Sequence, residues 1–237
     1  MPQMTPDRWS ATTAYLADTF GALPESDPLT NHHHRAQQAG LPPIAISPDV
    51  GRLLSVLTLL ALRDPNSTGR ALEVGTLGGY SGNWIARALS THPRGHLTTI
   101  EYDPAHARFA QSEFARAGLA DRVTITQGAA LETLPNLAKH LGPHSLDLAF
   151  LDADKREYEQ YAAIIKPLIR VGGLLIADNA LGSSNWWIDD ASADPSDKVA
   201  TASRAAVLRF NSALAADPDF ETCCVPIREG VLIAMRR

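Results

Sequence analysis

From Arg70 onward, short apolar runs alternate with stretches whose apolar residues recur at helical spacing. The runs Arg70–Gly75, His96–Tyr102, Arg122–Gln127, Leu146–Asp152 and Gly173–Asp178 read as buried strands. Ser81–Ser90, Pro104–Ala117, Leu131–His140 and Arg156–Ile169 read as the helices between them. Strict alternation of this kind gives a parallel sheet with helices on both faces, an α/β doubly wound fold. A helix over Thr201–Ala216 follows. Two late strands, Phe220–Pro226 and Gly230–Arg236, are joined by a short Ile-Arg-Glu link that reads as a hairpin. Upstream, Thr5–Phe20 has the spacing of an amphipathic helix, with Trp9, Tyr15, Leu16 and Phe20 as its apolar contacts. Ser47-Pro48 opens a second, strongly apolar helix over Asp49–Leu62, which Asp64-Pro65 closes. Residues 1–68 thus read as a helical N-terminal extension and 69–237 as the α/β core of one domain.

Composition narrows the function. The 237 residues are 45% hydrophobic and 20% charged, with a net charge of −5 and no basic run that would suit nucleic acid. Cys223 and Cys224 are adjacent and provide no disulfide framework, which suits a reducing compartment. No apolar run approaches the ~20 residues of a membrane span. The segment MPQMTPDRWS lacks a signal-peptide pattern, so a cytoplasmic protein is expected. His32-His33-His34 invites a metal reading, but three consecutive histidines cannot all face one ion from a helix or strand, and a solvated loop or helix start is expected.

The candidate chemistry stands at the strand ends. Ala71–Gly82 reads as a strand, a turn carrying Gly75, Gly78 and Gly79, then a helix, which is a nucleotide cradle because free N–H groups at a helix start face the turn. Leu77 stands where G-x-G-x-x-G needs glycine, and no Gly-Lys-Ser/Thr comes after it, so it is neither a dinucleotide fingerprint nor a P-loop. Glu101 closes the second strand, where an acid can accept both ribose hydroxyls of a nucleoside; the other reading is a solvated strand-end acid. The fourth strand ends in Asp152-Ala153-Asp154-Lys155 and the fifth in Asp178-Asn179. Asp152, Asp178 and Asn179 offer hard oxygen ligands that suit Mg²⁺ or Ca²⁺, although each residue could merely cap the helix or loop after its strand. Asp154-x-x-Glu157 fits a capping-box-like helix start. Lys155 is either a surface lysine or, with a cation lowering its pKa, a candidate base.

Together, Glu73 to Ser81, Ile100-Glu101, Gly128 to Leu131, Phe150 to Lys155, Gly172-Gly173, Asp178-Asn179 and Pro226 to Val231 resemble the class I S-adenosylmethionine-dependent O-methyltransferases. The nearest branch is the metal-dependent caffeoyl-CoA and catechol O-methyltransferase group, over about Ser47 to the C-terminus. The resemblance implies a Rossmann-like, mostly parallel seven-stranded sheet with an antiparallel C-terminal hairpin strand. It implies that Glu73, Gly75, Thr76 and Ser81 line the methionine half of the cofactor, that Glu101 holds the ribose, and that Ala130 and Asp154 lie near the adenine end and the cofactor. The implied cofactor set also takes in Gly79, Tyr80, Tyr102, Gly128, Ala129, Asp152 and Tyr161. Ile46 matches a position where plant members carry threonine, so its contact is through the backbone or absent. Asp152, Asp178 and Asn179 are implied as ligands of a divalent metal, magnesium or else calcium or manganese, and Lys155 and Asp152 as the catalytic residues.

The implied reaction moves a methyl group from S-adenosylmethionine to a hydroxyl of a catechol-like or phenylpropanoid acceptor. A phenol with a pKa of about 10 is mostly protonated at neutral pH, and chelation of adjacent hydroxyls by a divalent cation would stabilise its anion. The insertion after Gly182-Ser183 carries Trp186 and Trp187, readable as an aromatic wall over the acceptor, as loop anchors, or as a dimer contact. Its acids Asp189, Asp190 and Asp194 argue against a coenzyme A thioester and toward a free phenol. The two N-terminal helices would suit a homodimer. The competing readings are a non-catalytic S-adenosylmethionine-binding module, a methyltransferase for another hydroxylated acceptor, and an NAD-dependent oxidoreductase.

Overall fold

A computed structural model describes residues 5–188 and 196–237. Three helices come first: α1 (Pro6–Phe20), α2 (His32–Gln38) and α3 (Pro48–Ala61). The alternating part follows as β1 (Arg70–Val74), α4 (Tyr80–Leu89), β2 (His96–Glu101), α5 (Pro104–Arg116), β3 (Val123–Gln127), α6 (Ala130–Leu141), β4 (Leu146–Leu151), α7 (Tyr158–Ile165) and β5 (Ile169–Ala177). A two-stranded ribbon, β6 (Gly182–Ser183) and β7 (Trp186–Trp187), leads to α8 (Lys198–Ala215), β8 (Phe220–Val225) and β9 (Val231–Arg236). The main sheet has seven strands in the order β3-β2-β1-β4-β5-β9-β8, parallel as far as β5, with β9 antiparallel to β5 and β8 antiparallel to β9.

Period-two burial explains why this sheet needs cover on both faces. On β4 and β5, Ala149, Leu151, Leu175 and Ala177 pack with Tyr158, Ile165, Phe210 and Leu214 of α7 and α8. Their neighbours Leu148, Phe150, Leu174 and Ile176 pack with Val50 and Leu54 of α3 and Ile85 and Leu89 of α4. Helix α3 therefore shares the sheet's core, although the sequence reads it as part of an extension. The helix expected over Arg156–Ile169 is shorter: 3-10 turns at Lys155–Glu157 and Lys166–Leu168 flank α7, and β5 already begins at Ile169. Pro167 removes a backbone donor there, which ends α7.

Candidate functional site

Because the strands are parallel, the loops after β1, β2, β4 and β5 gather at one end of the sheet. Hydrogen bonds continue past the strands there: Gly75 N–H donates to Ile100 (3.1 Å), Asp152 N–H to Val74 (2.9 Å) and Asp178 N–H to Leu151 (3.0 Å). Gly75 holds φ 101°, and a Cβ on it would lie 2.1 Å from the Asp152 carbonyl oxygen. Only glycine lets these two loops approach so closely.

A 470 Å³ cavity over this end is lined by Gly75, Leu77, Glu101, Tyr102, Gly128, Ala129, Ala130, Asp152, Asp154 and Tyr161 among others. A second, of 290 Å³, is lined by Ile46, Gly75, Thr76, Tyr80, Ser81, Asp152, Lys155 and Asn179 with their neighbours. Most of the expected cofactor residues thus stand around one cleft. Glu101 accepts backbone N–H groups from Leu77 (2.7 Å) and Asp103 (2.8 Å), so the acid is fixed by the turns around it rather than solvated.

Two expected lining residues do not line either cavity. Glu73 is fully buried beneath the turn, where Ser81 Oγ (2.6 Å) and Thr99 Oγ1 (2.7 Å) donate to its carboxylate. Burial pushes this carboxyl up to about 7, despite those two hydroxyls. It therefore positions Ser81 instead of facing the cleft. Gly79 is the N-cap of α4 at φ 77°, packed against Ala110 and Phe114, and its role is to start the helix.

The candidate metal and catalytic residues cluster where β4 and β5 end. Lys155 Nζ donates to Asp152 Oδ1 at 2.6 Å. Burial disfavours the Lys155 ammonium, but Asp152, with Tyr158 and Asp178, outweighs that and holds its pKa above the ordinary range. Burial, and after it the Asp152 charge, pushes the Asp178 carboxyl up to about 7. Asn179 sits in the left-handed region at φ 59° and lines the cavity shared with Asp152. Among the described residues there is no group of three or more His, Cys, Asp or Glu arranged for a metal. The donor set is two carboxylates and an amide, hard oxygen donors of the kind a divalent cation takes.

Asp154 caps the 3-10 turn, accepting from Arg156 N–H at 3.0 Å and pairing with the Arg156 guanidinium. The reciprocal half of a capping box is not made, because Glu157 instead accepts from Tyr161 Oη at 2.5 Å. Trp186 and Trp187 divide the roles left open for them. Trp186 is buried against Ala200, Val207 and Ile188 and anchors the ribbon to α8. Trp187 lines a third, 600 Å³ cavity with Trp9, His33, Pro42, Ile46 and Arg228 among others. The insertion's Asp189, Asp190 and Asp194 lie outside the described residues.

The histidine triplet begins a helix, as one expected reading has it, with His34 exposed but His32 buried. His32 is 1% exposed, its Nε2 lies 2.8 Å from the Gly78 carbonyl, and burial pushes its pKa down to about 4. Its partner lies 46 residues along the chain, and no local pattern signals that contact. Pro42, Ile44 and Ala45, in the link before α3, also enter the cleft walls unforeseen.

Residues 22–237 match the model of an O-methyltransferase family. The chain is 37% identical over 203 residues to a catechol O-methyltransferase of Niastella koreensis, covering 86% of this chain and 84% of the relative. It is 32% identical over 193 residues to caffeoyl-CoA O-methyltransferase 1 of Eucalyptus globulus, covering 80% and 74%. The structure of the O-methyltransferase from Bacillus cereus in complex with SAH, the demethylated cofactor, superposes with a TM-score of 0.79 at 28% identity, covering 98% of this chain and 99% of that one. The chain belongs to this O-methyltransferase family and is an S-adenosylmethionine-dependent O-methyltransferase of the catechol and caffeoyl-CoA type. That excludes the NAD-dependent oxidoreductase.

Proposed function

We propose that this member of the family uses a divalent cation to methylate a hydroxyl of a catechol-like or phenylpropanoid small molecule. The observation that carries the reading is the grouping of Asp152, Asp178 and Asn179 beside Lys155, with Asp178 raised by burial and by Asp152. A cation held by these oxygens answers the clustered charge and favours the ionised form of a bound hydroxyl. Magnesium fits such hard donors, with calcium or manganese as alternatives. Acceptors of this class agree with the names of two relatives, a catechol O-methyltransferase and a caffeoyl-CoA O-methyltransferase.

Each wall of the cleft then has its task. Glu101, Tyr102 and Gly128–Ala130 hold the nucleoside part of the cofactor, while Gly75, Thr76 and Ser81 border its methionine part, with Glu73 fixing Ser81 from below. Asp154 and Tyr161 close that side, and Ile46 and Tyr80 the other. A cation held by Asp152 would relieve the attraction that keeps Lys155 protonated, and Lys155, once it has given its proton to solvent, would accept the hydroxyl proton as the neutral amine. The sulfonium donor is already activated, so alignment of its methyl with the oxygen supplies much of the rate, on the order of 7–11 kcal/mol.

We also infer one cytoplasmic methyltransferase domain that pairs as a homodimer, without nucleic-acid or membrane partners. Val56, Leu59 and Leu60 of α3 support the pairing, since they leave an exposed apolar face. No described helix is long and apolar enough to cross a membrane. The test is methyl transfer from S-adenosylmethionine to a catechol and caffeate panel, with Mg²⁺ and with a chelator. Chelator-sensitive methylation is expected, and transfer that survives full chelation would overturn the metal reading.

A further inference from the structure

Strand β2 grips the glycine turn at two consecutive residues. Leu97, Thr99 and Glu101 share one face of the strand, and Thr99 stands beside Glu73 in the parallel register of β1 and β2. Glu101 accepts the Leu77 N–H at 2.7 Å, and the Thr99 hydroxyl meets the Thr76 hydroxyl at 2.6 Å. Thr76 and Leu77 both line the 290 Å³ cavity. Glu101 lines the 470 Å³ one, but Thr99 lines neither.

Thr99 is fully buried, and a hydroxyl there costs stability unless it is hydrogen-bonded. Valine has nearly the same shape and suits a strand equally well, so packing alone does not call for threonine. The hydroxyl is used in both senses. Its one hydrogen goes to Glu73 Oε2 at 2.7 Å, so toward Thr76 it accepts. Ser81 donates to the other Glu73 oxygen at 2.6 Å. Gly82 makes room for this carboxylate, since a Cβ there would lie 2.9 Å from Glu73 Oε2. A buried chain therefore runs from Thr76 through Thr99 and Glu73 to Ser81. Its two ends are cavity-lining residues on either side of the turn, and Gly78 and Gly79 between them leave the backbone free to shift.

We propose that Thr99 is a positioning residue for the cofactor: from beneath the cleft, its hydroxyl fixes Thr76 relative to Ser81 by tying both to one buried carboxylate. The inference rests on the placement of the methionine part of the cofactor beside Thr76 and Ser81. Thr99→Val keeps the shape and removes the tie. The Thr76 side chain, almost wholly buried, then loses its acceptor and must turn to another, which shifts the wall just past Gly75. Thr98 alternates to the opposite face of β2, where it lines a separate space with Thr124 and Thr126, and Thr98→Val is the control.

The test is calorimetric binding of S-adenosylhomocysteine to the full chain, with urea unfolding read separately. Thr99→Val is expected to weaken binding about 3- to 10-fold, the range of one neutral hydrogen bond, while Thr98→Val leaves it unchanged. Thr99→Ser, which restores the hydroxyl, should bind within about 2-fold of wild type. Thr76→Val should lose as much as Thr99→Val, and the double variant no more than either, because all three remove the same bond. Wild-type affinity in Thr99→Val, failure of Thr99→Ser to restore binding, or losses that multiply in the double variant would overturn the proposal. Should Thr99→Val not fold, wild-type affinity in Thr76→Val would overturn it equally. A wild-type chain that does not bind S-adenosylhomocysteine would refute the cofactor placement itself, whereas tight binding indifferent to Thr99→Val would refute only the role of Thr99.

Discussion

Strands β4 and β5 carry charge at both of their ends, and the two ends treat it oppositely. At the end away from the cleft, Arg170 Nε donates to Asp147 at 2.6 Å, and its Nη atoms reach Asp64 (2.8 Å) and the carbonyls of Val171 (2.6 Å) and Ala61 (2.7 Å). Asp147 also accepts from the Thr68 hydroxyl (2.9 Å) and the N–H groups of Thr68 and Arg70 (both 3.0 Å). Charge there is buried and saturated. At the cleft end, on the same two strands, Asp178 is raised by burial and by Asp152, and Glu73 on β1 is raised too. A saturated buried charge holds the fold together, whereas an acid raised by burial and by a like charge in a cleft marks a candidate functional site.

Breaking each end should give different phenotypes. Arg170→Ala strands Asp147 and is expected to cost about 3–5 kcal/mol of stability; in denaturant titrations it should be the more damaged protein, with KM for the cofactor unchanged in what remains folded. Asp152→Ala should do the reverse, lowering metal-dependent kcat/KM about 100- to 1,000-fold while cofactor affinity and the unfolding midpoint stay close to wild type. Full activity in that variant would remove Asp152 from the site. Lys155→Ala should cost about 100-fold in kcat, most at low pH where the acceptor does not ionise unaided. A flat loss across pH would assign Lys155 to charge balance alone.

A smaller effect sharpens the contrast through pH. Glu73 binds its proton more tightly folded, at about 7, than unfolded, near its ordinary 4.5. Its contribution to stability therefore falls as pH rises through that window, by roughly 2–3 kcal/mol in all. His32, held neutral, acts in the opposite sense over the acid range, so the difference between wild type and Glu73→Gln is the quantity to measure. Glu73→Gln should gain relative stability toward pH 7, and parallel curves would show that the carboxyl is not raised.

How much of this was legible depends on how local each signal is. The succession of strands and helices and the acids after β4 and β5 were readable because short apolar runs and strand-end position are written in a few consecutive residues, whereas the order of strands across the sheet is not. Glu73 was readable as special but not as sealed, since its depth depends on Ser81 and Thr99 closing over it. The Asp147–Arg170 pair escaped notice because it joins positions 23 apart across two strands. His32 escaped for the same reason, as the polar triplet gives no hint that one ring passes under the glycine turn. Trp186 and Trp187 look identical in sequence, and only the ribbon's pairing with Gly182-Ser183 sends one to the core and the other to the cavity.

The missing Cβ at Gly75 also decides where this enzyme can be redesigned. A single added methyl there would press on the Asp152 carbonyl, so the loop beside the methyl donor and the loop beside the acceptor cannot be varied independently at that point. The link 42–46 touches both spaces from above without taking part in that contact. A mutational library aimed at new acceptors should therefore randomise the link and leave position 75 fixed; survivors of such a screen should change which acceptor is methylated while retaining the same grip on the donor.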